Sequence, residues 1–303
     1  MTPALDPATR HLLGTGAVFE ASLFHEDGRP LVEKRLLPRV RTEPLARASL
    51  AREAHILRRA RHRSLPELVR VGTDERGPFL IETFVEGMSI RQIVDSWASK
   101  GGVPARLIGH VVRESFRVLA ELAELTELAG LTERAEGAEG AKRAEGAERA
   151  GAPGGESKLL GFVHGDLTPD HVVLSADGDV RLLDFGASRI AGLPEELAGQ
   201  DRGTLPFAAP EVARGDSPAS QSSDLYSMAA TALFLATREP LCDARDAAAM
   251  LAEIGTRGLR RELLSGVSAL RPRERDALFA ALDPTPERRA MSAREIVAAF
   301  DAG

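Results

Sequence analysis

Along residues 12 to 84, apolar and polar positions alternate or run apolar in short stretches punctuated by Gly, Pro and Asp. "LLGTGAVFEASLF", "RPLVEKRLL", "LVRVGTDE" and "GPFLIETFV" have the period and the turn residues of hairpin strands. One stretch breaks the rhythm. "EPLARASLAREAHILRRARH" sets Leu45, Ala48, Leu50, Ala54 and Leu57 at helical spacing, which predicts an amphipathic helix with those residues on its apolar stripe. From Ile90 onward the pattern is helical, apart from strand-like runs near 171–174 and 180–183. The prediction is an α+β chain with two lobes: a small antiparallel β lobe with one helix over about 10–86, and a larger, mainly α lobe over about 87–303. The two meet near Thr83 to Gly87.

The second lobe is interrupted. "RAEGAEGAK" at 134–142 is followed at once by "RAEGAERAG" at 143–151, a nine-residue duplication of balanced charge with almost no core-forming residues. Such a stretch cannot bury enough apolar area to offset the ordering of its backbone. Residues 132–157 are therefore expected to form a flexible, low-complexity insertion.

Composition narrows the function classes. A chain of 303 residues, 43% hydrophobic, can bury a large core. Its most apolar helical stretch, Tyr226 to Thr237, is too short and too polar to cross a bilayer, and the N-terminal residues lack the basic and apolar regions of a secretion signal. A single cysteine, Cys242, fits a reducing compartment, so the cytoplasm is expected and no membrane partner is. The net charge of −6 with few aromatics argues against nucleic-acid binding, which needs concentrated Lys and Arg. Oligomeric state is left open. One bias matters more: of 39 basic residues only four are lysines, at 34, 100, 142 and 158. Where chemistry wants an ammonium, a lysine in this arginine-rich chain is a selective choice.

The residues that carry chemistry lie in a fixed order: a Gly-rich turn "LGTGAVFEA", Lys34 in "LVEK", Glu53 in "LAREAHIL", "HGDLTPDH" at 164–171, "DFG" at 184–186, "GTLPFAAPE" and "SDLYS". Each is weak alone, but all seven in this order resemble the protein kinase superfamily, especially bacterial Ser/Thr kinases, over nearly the whole chain. The resemblance implies a bilobal kinase-like fold and transfer of the γ-phosphoryl group of ATP to Ser or Thr of a protein substrate, with Mg²⁺ or Mn²⁺.

It also implies roles. Gly14 and Gly16 would let backbone amides approach phosphates, and Lys34 would grip them while Glu53 fixes its long stem. Asp166 would orient the acceptor hydroxyl and take its proton, with Thr168 beside it, and Asp184 and His171 would hold the metal. Adenine would lie between Leu13, Ala21 and Val32 on one side and Val173 on the other, against hinge backbone at Phe84 and Val85. His164, Phe185 and Leu57 would pack behind the two acids. Glu211 would pair with Arg289, Asp224 would bond the catalytic-loop backbone, and Thr204, in contact with Asp166, would favour Ser/Thr acceptors.

Several positions depart from the family pattern. Phe19 replaces the third loop glycine, Gly165 the arginine before the catalytic aspartate, Thr168 a lysine and His171 the metal-binding asparagine. Losing the lysine removes a charge near the transferring group, a loss on the order of 10²-fold. Imidazole suits manganese or zinc better than magnesium, which wants oxygen. Glu82, at the gatekeeper position behind the adenine, needs a partner or its pKa will rise. A pseudokinase that binds nucleotide or serves as a scaffold is thus the alternative to an active kinase. A small-molecule phosphotransferase sharing "HGDL" is a third reading, opposed by "GTLPFAAPE" and "SDLYS". With Gly165 and no Ser, Thr or Tyr between Arg189 and Gly203, activation by loop phosphorylation is not expected.

Overall fold

The computed structural model describes residues 10–141, 161–199 and 203–301. Five strands form the first sheet: β1 (His11–Thr15), β2 (Phe19–Glu26), β3 (Arg29–Leu36), β4 (Leu68–Asp74) and β5 (Gly77–Thr83). All pairs are antiparallel and the order is β1-β2-β3-β5-β4. Helix α1 (Pro44–Arg59) starts with Pro at its first turn and ends on Arg58 and Arg59, as the helix dipole favours. Its packed face differs from the stripe read in sequence. Ala46, Leu50, Glu53, Ala54, Ile56 and Leu57 are buried, whereas Leu45 is 79% exposed and Ala48 only half-buried. The stripe is displaced because the helix turns polar residues, Arg52 and Glu53, inward toward partners described below.

Beyond Gly87 the chain is mainly helical. Gly87 lies so close to the next sheet that a Cβ would stand 2.4 Å from the Leu174 carbonyl oxygen, which leaves room for glycine alone. There β6 (Met88–Ser89) pairs with β7 (Val172–Leu174), and β7 with β8 (Val180–Leu182). Helix α2 (Ile90–Ser96) opens on a Ser89–Gln92 capping box. Helix α3 (Ala105–Ala141) runs into the stretch expected to be an irregular insertion, so residues 132–141 are helical; the remainder of that stretch lies outside the described residues.

The larger core forms around α5 (Gln221–Thr237), capped by Ser220 and buried on every side through Tyr226, Met228, Leu233 and Leu235. Helices α4 (Pro210–Arg214), α6 (Ala247–Arg257), α7 (Pro272–Ala281) and α8 (Ala293–Asp301) complete the lobe. A β lobe followed by a helical lobe is the expected bilobal α+β architecture. Among the described residues no helix is long and apolar enough to cross a membrane.

Candidate active site

The cleft between the lobes is lined from both. On β3, Lys34 is almost wholly buried and forms an ion pair with Glu53 of α1, so the pair is not the exposed surface contact that sequence alone would allow. The same Glu53 oxygen accepts the Phe185 backbone N–H at 3.3 Å, joining α1 to the DFG turn. A second carboxylate reaches the ammonium: Glu82 Oε1 of β5 lies 3.1 Å from Lys34 Nζ. Burial would lower the lysine's pKa, but Glu53, Glu82 and Asp184 together raise it above the ordinary value. Burial pushes Glu53 up against the pull of Lys34 and pushes Glu82 up to about 7. The sequence flagged Glu82 as needing a partner; Lys34 is that partner, and the pKa rises all the same.

Asp166 and Asp184 face His171. The imidazole Nδ1–H donates to the Asp166 carbonyl oxygen at 2.8 Å, because only an N–H can bond a carbonyl. In the neutral ring Nε2 therefore carries the lone pair, 3.6 Å from Asp184 Oδ2. Asp184 adopts φ +66, and burial raises its carboxyl less than Lys34, His171 and the Gly186 amide lower it. Burial raises Asp166, against His171 and against hydrogen bonds from the Thr204 hydroxyl and amide. Thr168 is buried and its carbonyl accepts the His171 amide.

Behind these acids the supports are closed. Burial drives the pKa of His164 down to about 3, so the ring is neutral, and its Nε2–H donates to the Leu183 carbonyl at 3.1 Å. Its ring lies 5.1 Å from that of Phe185, in the core cluster that also holds Leu57. Asp224 accepts the His164 and Gly165 amides at 2.6 and 2.9 Å. Gly165 has φ +82, and a Cβ there would meet the Ala187 carbonyl oxygen at 2.6 Å, so the backbone itself excludes an arginine. Glu211 and Arg289 form a buried bidentate pair at 2.6 and 2.7 Å.

The remaining predicted residues differ in exposure. Val32 and Val173 are buried, Ala21, Phe84 and Val85 half-buried, and Leu13 is 50% exposed. Gly14 and Gly16 have no positive φ, and a Cβ at either would meet nothing closer than 3.7 Å. The hairpin does not demand glycine at these positions.

Two contributors were not read from the sequence. Arg52 of α1 is buried and donates to the carbonyl oxygens of Gly186 and Leu197, both at 2.6 Å, and Ser49 donates to Gly186 at 3.2 Å. An arginine beside a functional glutamate reads as solvent-facing by helical period. Only its adjacency to Glu53 could have hinted otherwise.

The donor set fits a divalent ion bound with help. Asp184 and the free nitrogen of His171 converge, but among the described residues no group of three or more His, Cys, Asp or Glu side chains could hold an ion alone. Phosphate and water oxygens would complete the shell, as is usual for magnesium.

A two-lobed fold that sets a buried lysine–glutamate pair near two aspartates has the arrangement of the protein kinase template. Residues 159–298 match the family described as Protein kinase domain. The chain is 28% identical over 177 residues to the serine/threonine-protein kinase PknL of Mycobacterium tuberculosis, covering 58% of this chain and 35% of that protein. It is 36% identical over 94 residues to PknK of Mycobacterium bovis, 31% of this chain and 8% of that protein. With the serine/threonine-protein kinase kin-29 of Caenorhabditis briggsae it shares 35% identity over 77 residues, 25% of this chain and 9% of that protein. Over these stretches the chain is similar to the protein kinase superfamily and, within it, to bacterial Ser/Thr kinases. It spans only a part of each of these relatives.

Proposed function

We propose that this chain is a Ser/Thr protein kinase, its lobes at about 10–86 and 87–303, that transfers the γ-phosphoryl group of ATP to a protein hydroxyl. The observation that carries this reading is the run of contacts from Lys34 through Glu53 to the Phe185 amide, which ties a phosphate-gripping ammonium to the turn bearing Asp184. Asp166 takes the hydroxyl proton as the acceptor oxygen bonds to the γ-phosphorus; the bond from that phosphorus to the bridging oxygen breaks and ADP leaves with the electron pair. Asp184 and His171 would hold a divalent ion, which would neutralise phosphate charge. Leu13, Ala21, Val32 and Val173 enclose the adenine, Phe84 and Val85 offer hinge backbone, and Gly14 and Gly16 admit the phosphates. Thr204, bonded to Asp166, favours Ser/Thr acceptors. With no space for an arginine at Gly165, the loop needs no phosphate to be ordered.

A nitrogen ligand at His171 and an uncharged Thr168 favour a second reading, a pseudokinase that binds nucleotide without transfer. Labelled ATP with a generic Ser/Thr protein substrate separates the two. Transfer is expected with Mn²⁺ above Mg²⁺, lost in Asp166→Asn, and raised in Mg²⁺ by His171→Asn, whose amide oxygen suits the harder ion. Nucleotide binding without transfer in either ion would establish the second reading and overturn the first.

A further inference from the structure

Lys34 is held from two elements of the fold. Glu53 reaches it from α1, a helix packed on the sheet, whereas Glu82 reaches it from within the sheet. In the β3–β5 register Val32 lies opposite Glu82 and Lys34 opposite Leu80, so Lys34 and Glu82 are diagonal neighbours on one face. An ammonium has three N–H donors. Two carboxylates use two of them, and the Lys34 side chain keeps 11% of its surface open while that of Glu53 keeps none. The remaining donor is the one available to a ligand. A single carboxylate would leave the four-carbon stem free to swing about one bond; a second, on a neighbouring strand, removes that freedom. Glu82 Oε2 is itself buried with no hydrogen-bond partner, so the acid has been taken out of water chiefly for its contact with Lys34.

We propose that Glu82 is a positioning residue for Lys34: from the frame of the sheet it keeps the ammonium within reach of nucleotide phosphates even when α1 does not supply Glu53. This rests on the nucleotide-binding reading above. Its consequence is that displacement of α1 does not by itself release the lysine. Glu53 and Glu82 are partly redundant, and the loss of both is worse than the product of the single losses.

The test is a double-mutant cycle on the whole chain, with ATP and Mn²⁺ titrated by calorimetry against wild type, Glu53→Gln, Glu82→Leu and both together. Each single change is expected to weaken binding by less than about 5-fold, and the pair by more than about 100-fold, a coupling between groups that share one partner. Glu82→Gln, which keeps an acceptor oxygen, should restore part of the loss. Nucleotide-free protein gives a second readout: modification of Lys34 by an amine-acylating reagent, followed by mass spectrometry. Protection should persist in either single variant and disappear in the double. The proposal is overturned if Glu53→Gln alone matches the double in affinity or in Lys34 reactivity, or if Glu82→Leu binds ATP more tightly than wild type, since Glu82 would then compete with phosphate. If no variant, wild type included, binds nucleotide while Lys34 protection follows the expected pattern, the nucleotide reading fails and the two-sided hold on Lys34 stands.

Discussion

Two buried ion-pair sites divide the labour of this molecule, and they are finished to different degrees. At the base of the helical lobe, Arg289 is saturated. Its guanidinium bonds both oxygens of Glu211, its Nε donates to the Asp283 carbonyl at 2.7 Å, and it lies 4.8 Å from the Tyr226 ring centroid. In the cleft, one ammonium faces two carboxylates, and Glu53 Oε2, Glu82 Oε2 and Asp166 Oδ1 are buried without a partner. Buried polar atoms are normally paired, and each exception asks for an explanation. Three of these exceptions lie around Lys34 and the catalytic-loop aspartate; others lie elsewhere among the described residues, Tyr226 Oη and Ser222 Oγ beside Arg289 included. The contrast lies in the ion pairs themselves: Arg289 bonds both oxygens of Glu211, whereas Lys34 leaves one oxygen of Glu53 and one of Glu82 unbonded.

The contrast can be broken most severely at the anchor. Arg289→Ala should cost about 3–5 kcal/mol, because it leaves Glu211 charged and buried without its partner. Arg289→Lys should recover only part of this, since an ammonium cannot make two parallel bonds to one carboxylate. Denaturant midpoints measure both, and a loss below about 1 kcal/mol, the scale of a surface pair, would erase the distinction.

In the cleft, the dependence on pH should carry the opposite mark. Glu82 titrates near 7 when folded, above its ordinary value of 4.5, so the folded state binds the extra proton between those values and this acid's contribution to stability falls as pH rises through that window. Glu82→Gln should therefore gain on wild type from pH 4.5 to 7, by up to about 3 kcal/mol, and hold that lead above. His164, whose folded pKa lies below its ordinary value, acts in the other direction but is common to both proteins and cancels. A constant difference across the range would contradict the assignment.

A smaller effect sharpens the role of the open valences. ATP with Mn²⁺ at a hundredfold excess over its Kd should stabilise wild type by about 2.7 kcal/mol, read as a thermal shift. Lys34→Met and Asp184→Asn should abolish the shift, while Arg289→Lys, though less stable, should keep it. Equal shifts in all of them would remove the cleft from nucleotide binding.

The smallest contrast sets one glycine against another. Gly165→Ala should destabilise by about 1–3 kcal/mol, since it forces a side chain into positive φ and onto the Ala187 carbonyl. Gly14→Ala meets nothing within 4 Å and should change stability by less than about 0.5 kcal/mol while weakening nucleotide binding. A reversal of the two would mean that Gly14 serves the turn and Gly165 the ligand.

What the sequence determined by itself was order and element type: two-residue alternation marked the strands, helical periods the second lobe, and the spacing from Gly16 to Lys34 and from Asp166 to Asp184 the motifs. These are local signals, carried by residues close along the chain. The sequence also marked Glu82 as an acid in need of a partner, and the family resemblance implied Thr204 as a neighbour of Asp166; the fold supplies both contacts. What only the tertiary structure decided were contacts across long separations. Period alone put Leu45 on the buried stripe of α1, but the helix instead turns inward toward Gly186 and Leu197, more than a hundred positions away, and buries Arg52 on their carbonyls. The tautomer of His171 depends on a carbonyl brought round by the loop, and the exclusion of an arginine at 165 on the approach of Ala187. Side-chain period reports which face of an element is apolar; the partners that make burial of charge tolerable come from other elements, and their placement is a property of the packed fold.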